Sequence, residues 1–202
     1  MKIASYVLMA LGALSILVGF FLLAGLILYS MTPPLKAEME AVNVSAEYVK
    51  SLDNKINSFK SEAEKAAVAK ETKEIAFSLN EEEINSKLIE VLSEGEIPLK
   101  EAAVNLRDNR IWFYGEIISV AIPAKVMIIG DASIINNSIR ANVDTFELGK
   151  LPLSSSTPET VGNILNIIVG TESPFKNLPI KITSIGVDDN SLTVRAVTIP
   201  KN

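Results

Sequence analysis

The chain has 202 residues, a formal net charge of −5, and neither cysteine nor histidine. Without Cys there is no disulfide, lipobox anchor, thiolate metal site or Cys nucleophile, and without His the usual general base and commonest metal ligand are missing. The acidic balance argues against nucleic acid, whose phosphates need clustered Lys and Arg, and against a polybasic hold on anionic headgroups.

No charged residue occurs between Lys2 and Lys36, and Val7–Leu28 is almost wholly apolar. At about 1.5 Å per residue this run spans a hydrocarbon core of roughly 30 Å, which predicts a single-pass transmembrane anchor over 1–31. A cleavable signal has a shorter apolar region and a small-residue cleavage site, and Leu26-Ile27-Leu28-Tyr29-Ser30 does not supply one. Tyr29 suits the interfacial belt; Gly12, Ser15 and Gly19 place small residues on one side, as ordinary glycine usage in membrane helices does. The positive-inside rule has Lys2 and the amino terminus to weigh on one flank and Lys36 onward on the other. The short tail is placed in the cytoplasm and the C-terminal domain outside it.

Residues 32–73 read as a helical stalk. Thr32 is placed as its N-cap and Pro33-Pro34 as its first residues, where a missing N–H costs nothing. Val42, Val49, Ile56 and Ala63, with Leu52, Phe59 and Ala66, repeat at heptad spacing, and Ser45 interrupts one position. Two readings follow: a coiled coil that joins two copies, or a single amphipathic helix lying on its own domain or on the membrane. The few heptads and the alanines in the seam favour the second.

The remaining residues, 74–202, predict one extracytoplasmic α+β domain, large enough for a core without disulfides or metals. Ile75, Phe77 and Leu79 alternate as a strand, and helical spacing begins at Ile84, Leu88, Val91 and Leu92. Between them Asn80 is a natural N-cap, Glu83 holds the capping-box position, and Glu81–Glu83 suit the positive helix end. Gly95 and Pro98 stop this helix. Leu99–Leu106 and Ile111–Ile118 predict a hairpin across the four residues 107–110; Ile122–Ile135 and Ser138–Leu148 predict another across Asn136-Asn137. After a Ser154–Ser156 loop, Thr157 and Pro158 open a helix with Val161, Ile164, Leu165 and Ile168 as its stripe, ending at Gly170. Ile180–Val187 and Leu192–Ile199 close the chain as a third hairpin. The expected architecture is a curved antiparallel sheet of about six strands wrapped on one or two helices.

No nucleophile elbow, Walker loop or zinc-protease motif is present. Ser154–Ser156 with Lys150 could supply a Ser/Lys pair only if the fold brought them together, and serines in a polar stretch read first as a loop. The Glu81–Glu83 run reads as helix-end charge before it reads as a metal site. Asn43-Val44-Ser45 and Asn136-Asn137-Ser138 both fit the N-x-[ST] glycosylation pattern, and such short patterns arise by chance. The expectation is a protein that is not an enzyme and carries no cofactor or metal. The positive signal is that Trp112-Phe113-Tyr114, Ile117-Ile118 and Val126–Ile129 are apolar on both faces of their strands, so both faces need a cover. The stalk, a second subunit or an acyl chain could supply it.

The run FSLNEEEINSKL at Phe77–Leu88, with DTFELGKLPL at Asp144–Leu153 leading into a helix, resembles the YpmS-like family of membrane-anchored proteins. More distantly it resembles YceB-like and LmeA-like lipid-binding domains of the tubular lipid-binding (TULIP) type. Asn85 and Gly149–Leu151 sit at positions matching the family pattern, and neither brings a catalytic role. The resemblance implies an envelope domain enclosing an apolar groove for a phospholipid or other acyl chain. Groove candidates are Phe77, Ile84, Leu88, Leu92, Trp112, Phe113, Ile117, Val126, Ile128, Val143, Ile164 and Ile168. The competing expectation is an envelope scaffold that oligomerises through its stalk.

Overall fold

The computed structural model describes the backbone of residues 19–95, 98–118, 122–135, 138–172 and 178–200, and their side chains except at 164 and 167–172. Gly12 and Ser15, the Asn136-Asn137 turn and the first part of the apolar run lie outside the described residues. The described part of that run, residues 19–30, is helix α1. Its Phe20, Phe21, Leu22, Leu23, Leu26 and Ile27 are exposed, and Gly19–Glu38 is long and apolar enough, by length and composition, to cross a membrane.

The fold beyond it is α+β. Strands β1 (Glu74–Asn80), β2 (Leu99–Arg107), β3 (Arg110–Ile117), β4 (Ala124–Ile135), β5 (Ser138–Leu148), β6 (Ile180–Asp188) and β7 (Ser191–Thr198) form two antiparallel sheets. One has the order β1-β7-β6, the other β2-β3-β4-β5. This corrects the single curved sheet of about six strands. The opening strand pairs with the closing one, Phe77 opposite Val194 and Leu79 opposite Leu192, so the ends of the domain make a sheet apart from the central meander.

The continuous helix expected over 32–73 is corrected too, whereas the favoured reading of its stripe, an amphipathic helix lying on its own domain, agrees with α2. Residues 32–73 are not one helix: Pro34–Glu38 is a short 3₁₀ turn, an extended strap follows, and helix α2 runs Ala46–Val68. Ser45, which interrupts the heptads, is the N-cap of α2 and accepts the Tyr48 N–H at 3.3 Å. The stripe of α2 is buried in its own domain. Leu52, Phe59 and Ala63 join Ile75, Phe77, Ile180, Ile182, Val194 and Ala196 in one core cluster, and the Phe59 and Phe77 rings lie 5.6 Å apart. The boundary expected at residue 73 therefore runs through the middle of a core.

Helix α3 (Glu81–Glu94) begins as the sequence predicts. Asn80 and Glu83 form a capping box, and Gly95 ends the helix in the left-handed region at φ 73°. Its buried residues, however, are polar: Glu81, Glu83, Asn85 and Ser86. Glu83 receives Ser51 Oγ at 2.6 Å and Lys55 Nζ at 2.7 Å, which clamps α3 to α2. Burial pushes its carboxyl up, and the hydrogen bonds from Lys55, Ser51 and the Asn80 N–H outweigh this, holding it below the usual carboxylate value. The acid run is thus accounted for by capping and packing, and the described residues contain no group of three or more His, Cys, Asp or Glu that could hold a metal.

The hairpin turns are tighter than the sequence suggests. Arg107 pairs with Arg110, which leaves Asp108 and Asn109 as a two-residue turn with φ 53° and 58°. Asp and Asn tolerate that region, and such a turn matches the strand twist. The β6–β7 turn ends on Asn190, also at positive φ. Its N–H donates to Leu106 O at 2.8 Å, which ties the two sheets together.

Both faces of the four-stranded sheet are covered from within the chain. On one face Leu35 and Met39 of the strap pack on Trp112, Tyr114, Met127 and Ile129. The Arg107 guanidinium stacks 3.8 Å from the Trp112 ring centre and its Nη1 donates to Glu38 O at 2.7 Å. Burial, with Glu101 and Glu116 adding to it, pushes the Tyr114 hydroxyl up to about 12. On the other face Ile84, Leu88 and Phe113 pack against Val104, Leu106 and Val187. Helix α4 (Thr157–Glu172) lies along β5, passing the expected end at Gly170.

Candidate functional site

An apolar cavity of about 380 Å³ opens between α2, the β1-β7-β6 sheet and the far half of the β4–β5 hairpin. Leu52, Ile56 and Phe59, spaced four and three apart, project from one side of α2, as helical periodicity requires. Phe77 and Leu79 come from β1, Leu192 and Val194 from β7, and Ile185 from β6. Alternation along each strand puts these on a single face. Across from them stand Ala132 and Ala141, cross-strand partners on β4 and β5. Two methyl groups fill little space where larger side chains could meet α2, and the void follows from their size. Lys60 and Asp131 are the charged residues in the lining. Asp131 Oδ1 accepts from Asn142 Nδ2 at 2.6 Å.

Of the ten predicted groove residues whose side chains are described, Phe77 lines this cavity. Trp112 lies on the opposite face of its sheet, beneath the strap. Ile84, Leu88 and Phe113 belong to the cluster under α3. Leu92, Ile117 and Ile128 are half-buried away from the cavity and Val126 is buried. Val143 packs close to Gly162 of α4. The side chains of Ile164 and Ile168 lie outside the described residues. The α2 residues that wall the cavity show in the sequence as an amphipathic stripe that lies on its own domain, but the spacing does not reveal the void beside them. Ala132 and Ala141 carried no signal, because a cavity is made by what small residues leave unfilled.

The remaining motif residues hold the scaffold. Ser154 Oγ lies 3.1 Å from both Ser156 Oγ and Thr157 Oγ1 at the start of α4. Asn85 holds a sheet edge: its Nδ2 donates to Val104 O at 2.7 Å and its Oδ1 accepts the Val104 N–H at 2.8 Å. Glu81 accepts the Leu106 N–H next along the same edge. Asn166 of α4 repeats the device on β5, donating to Ala141 O at 3.0 Å and accepting its N–H at 2.7 Å. Asn105 does the same to the strap, with Glu40 N–H and C=O as partners at 2.8 and 3.2 Å. Side-chain amides thus occupy edge groups that would otherwise recruit another strand.

No family model, curated protein or solved structure matches the chain. The cavity and the apolar helix therefore carry the functional reading by themselves.

Proposed function

We propose that this is a single-pass membrane protein of the cell envelope whose extracytoplasmic domain binds an acyl chain without catalysis, with the amino terminus in the cytoplasm. The observation that supports it is the cavity, walled almost entirely by apolar side chains. A cavity of about 150 Å³ holds one benzene, so this volume suits a single chain of roughly 12–15 carbons. Binding sites for small molecules fall in the same size range. Burying each CH₂ gains about 0.8 kcal/mol against water, and the gain nearly cancels against a bilayer. Such a site takes up and releases its ligand without an energy source. Oligomerisation through α2 has less support, since that helix buries its stripe in its own core.

The test is titration of the full-length protein in detergent-free nanodiscs with a fluorescent fatty-acid analogue, followed by displacement with myristate. Wild type is expected to bind saturably. Ala132→Leu with Ala141→Leu is expected to abolish binding and keep or raise thermal stability, because the added methyl groups fill a void. Equal binding by this filled variant would remove the cavity as the site, and no binding by wild type would end the acyl-chain reading.

A further inference from the structure

We propose that the Gly149 end of the four-stranded sheet rests in the headgroup region of the bilayer that α1 enters, with Met31, Ile118, Ile122 and Leu153 as its apolar contacts. This rests on reading α1 as a membrane anchor, and goes beyond it by fixing which surface of the domain meets lipid.

The last carbonyls of a helix point along its axis, out of its C-terminal end. The Leu28 carbonyl of α1 accepts the Lys150 N–H at 2.8 Å, so the turn after β5 sits directly beyond the helix. The approach is close. Gly149 has φ 56°, and a Cβ there would overlap the carbonyl oxygens of Leu28 and Tyr29. Gly149 N–H in turn donates to Lys125 O at 2.8 Å, and Lys125 Nζ reaches Thr32 Oγ1 at 3.3 Å. The helix therefore ends on the sheet itself and not on a free tether.

Four apolar side chains are exposed around this junction. Ile118 is 49% exposed, and Ile122, Leu153 and Met31 are each 37% exposed. Ile118 follows Ile117, whose partner Ala124 precedes Lys125; Leu153 and Gly149 line the same shallow depression with Pro34. Single exposed apolar residues are ordinary on a soluble surface. Four of them around the foot of an apolar helix, beside Lys125 and the exposed Lys150, match an interfacial surface: apolar groups sink about 5–10 Å into the headgroup boundary while lysine ammonium groups stay among the phosphates. The cavity lies along β4 and β5 toward their other end. Six positions of strand separate Ala132 from Val126, about 20 Å at strand rise. Its occupant is thereby held off the bilayer surface.

The native chain has no cysteine, so single labels can be placed cleanly. Ile118→Cys, Ile135→Cys at the far end of the same sheet, and Leu23→Cys in α1 would each carry bimane. Full-length protein would be reconstituted in phosphatidylcholine–phosphatidylglycerol vesicles with and without brominated acyl chains. Loss of fluorescence at 23 and 118, and none at 135, is the expected result. Quenching at 23 with 118 behaving like 135 overturns the surface and leaves the anchor standing. No quenching at 23 ends the anchor reading and the surface with it.

Discussion

At the scale of single residues, the polar side chains buried in this domain are explained by backbone groups that need partners. A buried N–H or C=O left without one costs about 1–3 kcal/mol. Asn85 serves both groups of Val104 in a buried setting, whereas Asn166 serves Ala141 on a half-exposed edge that water can reach. Asn85→Ala is therefore expected to lower stability by about 2–3 kcal/mol in urea unfolding, since Val104 C=O keeps a second donor in Asn105 but its N–H does not. Asn166→Ala should lower it by under about 1 kcal/mol. Equal effects would show that burial does not set the cost. Asn85 was visible in the sequence only as a matched position in a resemblance. Asn105 and Asn166 gave no sign, because an asparagine in a strand or helix does not announce which edge the fold will bring to it.

Among elements, the local signals read well and the long-range ones did not. The Asn80–Glu83 capping box and the Gly95 stop depend on neighbours in sequence and appear as expected. The few heptads and the alanines in the seam favour Leu52 and Phe59 facing their own domain, but which sheet they meet depends on β1, β6 and β7, and the spacing is silent on that. The joint between α2 and α3 was equally hidden, since Glu83 takes its cap from Asn80 and its clamp from Ser51 and Lys55, some thirty residues upstream. That joint is charge-dependent. A carboxyl held below its ordinary value of about 4.3 contributes stability above that pH, and the contribution disappears as pH falls through the folded-state value. Comparing wild type with Glu83→Gln by circular-dichroism melts across pH 7 to 3 should show wild type more stable at neutral pH, with the difference shrinking below about pH 4. A difference that stays constant at acid pH would mean that shape, not charge, holds the two helices together.

At the scale of the molecule, the seven strand segments could be read from alternation and turns, but not their division into two sheets. That division depends on the first strand finding the last, more than a hundred residues later, with α2 laid over the pair. The strap and α2, which precede residue 74, are thus structural parts of the domain: α2 covers Ile75, Phe77, Ile182 and Val194, and the strap covers Trp112 and Tyr114. Removing them would expose apolar surface on both sheets, and burial at about 25 cal/mol per Å² is what a domain of this size has to set against chain entropy. A fragment of residues 74–202 is expected to bind anilinonaphthalene sulfonate and to lack a cooperative thermal transition. A fragment of residues 31–202, which keeps the strap and α2, should unfold in a single sharp transition by calorimetry. If the shorter fragment melts as sharply and at the same temperature as the longer one, α2 and the strap are accessories to the fold and the core does not cross residue 73 in any energetic sense.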